Sequence, residues 1–164
     1  MRYVEAGGAR LSVIGLGTWQ FGSTEWGYGD DYARSVAPAL VRKALDLGIN
    51  LIDTAEIYAF GRSEKAVGEA LEGRREEAFI ATKLFPVLPI APVVSWRAHA
   101  SAARLRTDHL DLYQLHWPSP HVPRGQTMSA LGRLQHEGLV KHVGVSNYVL
   151  QGWKDAEAAL ARRS

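Results

Sequence analysis

Apolar and polar positions change rhythm along the chain, and the changes mark its elements. Residues 2–14 alternate, with Gly7-Gly8 between two short β-prone runs, which is a hairpin signal. Residues 16–22 read as a first internal strand, and the Gly- and aromatic-rich residues 23–31 as a loop. From Asp31 or Ser35 to Leu47, the positions Val36, Leu40, Ala44 and Leu47 lie near helical spacing, and Gly48 closes the helix. Pro38 is compatible with it only in the first turns. Residues 49–54 form a second strand. Ser63 is placed to cap a helix reaching Leu71, with Ala66, Val67, Ala70 and Leu71 on one face and Gly73 as the stop. Residues 79–84 are a third strand and the Pro-rich residues 85–92 a loop. Ser95 is the expected cap of a helix that turns Ala98, Ala102 and Leu105 inward. Residues 110–117 form a fourth strand, ended by Pro118 and Pro120. A helix starts at Thr127 or Ser129 and stops at Gly138, and residues 140–147 are a fifth strand. A last helix, from 150 to about 162, puts Leu150, Trp153, Ala156 and Leu160 on one side.

The order is a hairpin and then strand–helix repeated, with a period of roughly 30 residues, the size of a βα unit. No Gly-x-Gly-x-x-Gly follows any strand, so a doubly wound dinucleotide fold lacks its signature. A (β/α)₈ barrel accounts for the order better, but its closure takes eight strands and about 250 residues. The expected fold is therefore α/β: the N-terminal hairpin and about five βα units of a (β/α)₈ barrel. Residues 1–164 would form one incomplete domain lacking three C-terminal βα units. Such an open sheet exposes apolar faces and two unpaired edges.

Composition narrows the partners more than the fold. Nineteen Lys and Arg against seventeen Asp and Glu give a formal charge of +2, with no basic run of the kind a nucleic-acid face needs. The absence of cysteine excludes disulfides, thiolate catalysis and cysteine metal sites. The histidines show no ligand spacing: after His136-Glu137, position 140 is Val140, where a His-Glu-x-x-His motif needs its second histidine. No metal is expected. No apolar run approaches the ~18 residues of a membrane span, and residues 1–5 lack the apolar centre of a signal peptide. The expectation is a soluble, cytoplasmic protein with neither a membrane nor a nucleic-acid partner.

The candidate chemistry lies at strand ends. Alternation puts Ile49, Leu51 and Asp53 on one face, as it does Phe79, Ala81 and Lys83, and Leu112, Gln114 and His116. Each set ends in an ionisable residue at the C-terminal edge, where parallel α/β proteins build their sites. A lone strand-end charge most often only reaches solvent; three in phase argue for a shared task. Tyr58 follows Asp53 by five residues. A phenol of pKa ~10 becomes a better proton donor beside an ammonium, and a buried Lys83 needs a carboxylate, which Asp53 supplies. With Tyr58 as acid, Lys83 as its tuner, Asp53 as counterion and His116 as orienter, the set is a proton-transfer site. Protonating an oxygen while a cofactor delivers hydride is carbonyl reduction.

The motifs Gly15-Leu16-Gly17-Thr18-Trp19, Asp53-Thr54-Ala55-Glu56-Ile57-Tyr58, Ala81-Thr82-Lys83, the 110–118 segment ending His116-Trp117-Pro118, and Gly144-Val145-Ser146-Asn147 make the chain resemble the aldo-keto reductases. The forms Ala-Glu-Ile-Tyr and His-Trp-Pro are similar to those of the branch with bacterial aldo-keto reductases and potassium-channel β-subunits. The resemblance implies an NADP(H)-dependent oxidoreductase on a TIM barrel with an N-terminal hairpin across its bottom, acting on small carbonyl substrates. It assigns the catalytic tetrad to Asp53, Tyr58, Lys83 and His116. It implies that Ser146 and Asn147 hold the nicotinamide carboxamide, that Gly17, Thr18 and Trp19 lie along the nicotinamide ribose and pyrophosphate, and that Trp19 and Trp117 line the substrate pocket. The family's 2′-phosphate-binding part falls beyond this sequence.

The remaining signals have plainer readings. Asp111 is a cap or ion pair, Glu56 either faces the pocket mouth or, on the plainer reading, is a solvated loop charge, and residues 74–77 are a solvated connection. Trp26 and Tyr28 either pack over the site or anchor the first loop. Beside the reductase stands a second expectation, a catalytically silent fragment that acts through assembly, with self-association through the open sheet edges or a missing C-terminal part covering the exposed face. A channel-regulating role is a third and weaker one.

Overall fold

A computed structural model describes residues 1–24 and 27–161. The expected hairpin pairs β1 (Tyr3–Ala6) with β2 (Ala9–Ser12). Five parallel strands follow in chain order: β3 (Gly15–Gly17), β4 (Leu51–Asp53), β5 (Phe79–Leu84), β6 (Leu110–Leu115) and β7 (Val140–Val145). Between and after them run the helices α1 (Asp30–Ser35), α2 (Ala37–Asp46), α3 (Arg62–Ala70), α4 (Ala91–Arg104), α5 (Arg124–His136) and α6 (Leu150–Ala161). Among the described residues no helix is long and apolar enough to cross a membrane.

The two sheet faces differ in cover. Ile52, Ile80, Thr82, Leu84, Tyr113 and Leu115 are fully or almost fully buried in the core that the helices complete. On the opposite phase Leu51, Phe79 and Leu112 are half-buried and line an open apolar cavity of about 390 Å³ that also takes in Leu11 and His142. The hairpin lies across the strands' N-terminal end. Tyr3 OH donates to Gly48 O at 3.0 Å, and Ser12 and Asn50 exchange bonds of 2.7 and 3.1 Å. Asp111 ties the same end together: it accepts from Arg75 Nη2 at 2.6 Å and from the Ile80 amide at 2.9 Å. Arg75 is thereby largely buried, not part of a solvated connection, because Asp111 at the start of β6 requires a cation there.

Several boundaries differ from the sequence expectation, each for a local reason. The first internal strand ends at Gly17, since Phe21 N turns back to Thr18 O. The first helical segment breaks at Val36 and restarts with Pro38 in its first turn. Its buried face is Ala37, Val41, Ala44 and Leu45, while Val36, Leu40 and Leu47 are exposed. Both sets satisfy a 3.6-residue period, and the one richer in alanine permits close approach to α3. Pro92 and Pro123 likewise open α4 and α5 rather than prolong loops, so Ser95 and Thr127 fall inside helices. Buried Thr127 donates to Pro89 O at 3.2 Å. Ser63 is not a cap: it is fully buried one residue inside α3, and its hydroxyl donates to Thr18 O. On α6 Ala156 is buried, but Leu150 and Trp153 stay exposed. Gly68 is dictated by packing, for a Cβ there would lie 2.7 Å from Arg104 O. Tyr28 packs edge-on against Tyr32, ring centroids 4.8 Å apart, and so anchors the first loop; Trp26 lies outside the described residues.

Candidate active site

Parallel pairing in register brings the C-terminal ends of β4, β5 and β6 side by side. At the centre is Lys83, only 5% exposed. Its ammonium donates to Asp53 Oδ1 at 2.7 Å, to the Thr54 carbonyl at 2.8 Å and to Tyr58 OH at 3.3 Å. Three N–H bonds thus meet three oxygens, the full donor capacity of a lysine. The Asp53 side chain is 43% exposed, so the ion pair is screened on one side by water.

Tyr58 is held by its own chain reversal. Its amide donates to Ala55 O, and the next three residues, Ala59, Phe60 and Gly61, all have left-handed φ values of 48°, 53° and 84°. For the first two this costs of order 1–3 kcal/mol each, a strain found where a site must be aimed. Gly61 relieves the third, and Arg104 packs where its Cβ would be, 2.7 Å away.

His116 continues β6 by donating its amide to Leu84 O at 2.9 Å. Its ring is stacked on Trp117, centroids 3.7 Å apart, and stands edge-on to Tyr58 at 5.6 Å. It is 4% exposed, and Nδ1 is buried with no partner among the described residues. Burial, reinforced by the Lys83 ammonium, pushes its pKa down to about 4. The ring is therefore neutral at pH 7. Between about 4 and the ordinary 6.5 the unfolded chain binds the proton and the folded one does not, so this contribution to stability is lost as pH falls. Glu56, raised by burial, works in the opposite sense. The His116 part is isolated by comparing the protein with its His116→Gln variant: by urea unfolding, the stability of the protein relative to the variant should decline steadily from pH 7 to pH 5.

The other expected residues are placed less uniformly. Asn147 Nδ2 donates to His116 O at 2.8 Å and to Ser146 Oγ at 3.1 Å, while the Ser146 amide holds Leu115 O. A hydroxyl and an amide thus sit together at the exit of β7, Asn147 exposed with a φ of 59°. Gly17 pairs with Asp53, and no heavy atom would lie within 4 Å of a Cβ there. Trp19 is 54% exposed. Thr18 departs from expectation. It is fully buried; its amide and hydroxyl donate to Asp53 O, and its carbonyl accepts from Phe21 N and Ser63 Oγ. Its polar atoms are committed inward, so it supports Asp53 from behind and offers no hydroxyl to a ligand.

Glu56 is not the solvated loop charge of the plainer reading. It is largely buried, accepting from Phe85 N at 2.6 Å and Arg97 Nη1 at 3.1 Å. Its place between Asp53 and Tyr58 was the only signal.

Comparison with known proteins identifies the family. The aldo/keto reductase family model matches residues 13–162. An uncharacterized oxidoreductase of Mycobacterium tuberculosis is 48% identical over 163 residues, covering 99% of this chain and 50% of that protein. Methylglyoxal reductase YeaE of Escherichia coli is 40% identical over 142 residues, covering 87% and 48%. Among solved structures, the aldo-keto reductase of Klebsiella pneumoniae in complex with NADPH superposes with a TM-score of 0.81 at 34% identity, covering 95% of this chain and 51% of that one. The chain thus spans about half the length of the curated relatives it matches. The hairpin and five-stranded sheet are the corresponding part of a (β/α)₈ barrel, and the chain belongs to the aldo/keto reductase family.

Proposed function

We propose that this chain carries the proton-transfer end of an NADP(H)-dependent carbonyl reductase, with Asp53, Tyr58, Lys83 and His116 as its catalytic residues. The observation that carries the reading is the contact of one buried ammonium with both a carboxylate and the phenol of Tyr58. Ser146 and Asn147 fit a nicotinamide carboxamide, because a hydroxyl beside an amide offers both donor and acceptor. Gly17 and Trp19 leave room along β3 for the ribose. When bound, the reduced nicotinamide supplies hydride to the carbonyl carbon of an aldehyde or ketone.

The chain's own residues handle the oxygen. Tyr58 OH gives its proton to the carbonyl oxygen, and the phenolate left behind is stabilised by Lys83. Asp53 pairs with that ammonium and orients it. His116, neutral at pH 7, does not compete as an acid; its ring nitrogen orients the carbonyl. Trp19 and Trp117 line the substrate side. The methylglyoxal reductase relative is consistent with small dicarbonyl or aldehyde substrates.

A second reading, a silent module acting only through assembly, draws on the half-exposed Leu51, Phe79 and Leu112 and on the free outer edges of β3 and β7. Self-association of the chain would cover them. Titrating tryptophan fluorescence with NADPH, and NADH alongside, separates the two. The reductase reading expects saturable quenching by NADPH near about 1 μM, or about −8 kcal/mol. No saturation up to millimolar cofactor would overturn it and leave the assembly reading.

A further inference from the structure

The segment after Lys83 is held by a contact that the proposed reaction does not use. Glu56 Oε1 takes the Phe85 amide at 2.6 Å and Arg97 Nη1 at 3.1 Å, and the same Arg97 nitrogen donates to Phe85 O at 2.7 Å. Both polar backbone atoms of Phe85 are therefore gripped by one buried ion pair. The Glu56 backbone joins in, its amide reaching Lys83 O at 3.3 Å. Phe85 in turn presents its ring edge-on to Trp117, centroids 5.7 Å apart, and Trp117 is stacked flat on His116.

We infer that Glu56 and Arg97 form a positioning clamp, which locks the loop bearing Tyr58 to the exit of β5 and, through Phe85 and Trp117, keeps water away from His116. The inference rests on the reductase reading for its purpose, since a dry, neutral His116 beside Tyr58 is what that chemistry needs. It rests on geometry alone for its existence. The carboxylate lies three residues after Asp53 and two before Tyr58, so a shift of its anchor moves both. Arg97 comes from α4, which makes the outer helix layer part of the site's support. Among the described residues neither side chain bonds to Lys83, Tyr58 or His116, and so they act through others.

The charges near His116 make the effect measurable with a definite sign. Lys83 and Tyr58 face the ring, with Asp53 behind Lys83. Deleting a nearby carboxylate favours the neutral imidazole and would lower its pKa. Admitting water does the reverse. A rise on removal of Glu56 therefore reports lost packing, not lost charge.

The experiment is an NMR measurement of the His116 imidazole protonation at pH 6, on the full chain without cofactor. With a pKa of about 4, the protein should show roughly 1% charged ring. Glu56→Ala should raise this at least tenfold with unchanged far-UV circular dichroism. Glu56→Gln, which keeps an oxygen acceptor for the Phe85 amide, should remain within about twofold of the parent. Phe85→Leu, which leaves the backbone grip intact but removes the ring against Trp117, should reproduce the rise and decides the matter if Glu56→Ala does not fold. A His116 that stays neutral in both Glu56→Ala and Phe85→Leu, or equally in Phe85→Leu alone where the alanine variant is unfolded, overturns the clamp. Because the readout needs no cofactor and no turnover, failure of the reductase reading would show separately in the fluorescence titration.

Discussion

On the proposed reductase reading, Tyr58→Phe should lose turnover of simple aldehydes with NADPH, by at least about 10²-fold and up to about 10⁴-fold in kcat, the range that general acid catalysis supplies. The substitution deletes one oxygen. Its loss leaves Lys83 two of its three acceptors, Asp53 Oδ1 and Thr54 O, so the ammonium stays paired and the fold should be kept. Cofactor affinity by tryptophan quenching should change less than threefold. Stopped-flow and steady-state rates on parent and variant check the prediction. A variant that retains a tenth or more of the parent kcat would remove Tyr58 from the acid role, and His116 could not replace it while neutral.

Arg104→Met gives the largest expected loss of stability. Glu64 is fully buried in α3, where Oε1 accepts from Thr82 Oγ1 at 2.6 Å and Oε2 from Arg104 Nε at 2.6 Å. Removing the cation leaves a buried carboxylate without its counter-charge, which costs about 3–5 kcal/mol. For a chain of this size that is a fall of roughly 6–20 °C in Tm by thermal circular dichroism. The double variant Glu64→Gln/Arg104→Met should recover at least half, since a neutral amide still takes the Thr82 hydroxyl. An unchanged Tm in the single variant would mean that water reaches Glu64 in solution.

How much of this was readable in the residues follows from what periodicity can carry. Strand ends were legible because an apolar run that turns ionic has few explanations, and Asp53, Lys83 and His116 fall on one sheet edge. The hairpin at Gly7-Gly8 was legible because its turn chemistry is local. The face of α2 was not. Val36, Leu40 and Leu47 keep the same period as Ala37, Val41 and Leu45, and only the spacing to α3 selects the smaller set. Ser63 looked like a cap because serine before a helix usually is one; the sequence holds no mark of Thr18 and Thr54 waiting for its hydroxyl in three dimensions. The plainer readings of Glu56 and Arg75 as solvated charges fail for the same reason. Their partners, Arg97 and Asp111, are 41 and 36 residues away, and long-range pairing of charges leaves no pattern in a single chain.

Strand order in the sheet equals strand order in the chain, and this has a consequence in time. Each strand pairs with the one made just before it, so every step closes a loop of similar, moderate length. The proposed tetrad is complete once β6 has docked, since Asp53, Tyr58, Lys83 and His116 all precede β7. At translation rates of about 5–20 residues per second, the stretch from Asp53 to His116 emerges in roughly 3–13 s. Ser146 and Asn147 arrive later, on the strand that follows. The residues proposed to handle the proton are thus laid down by the ribosome before those proposed to hold the nicotinamide, and a nascent chain paused between them would hold the first group assembled without the second.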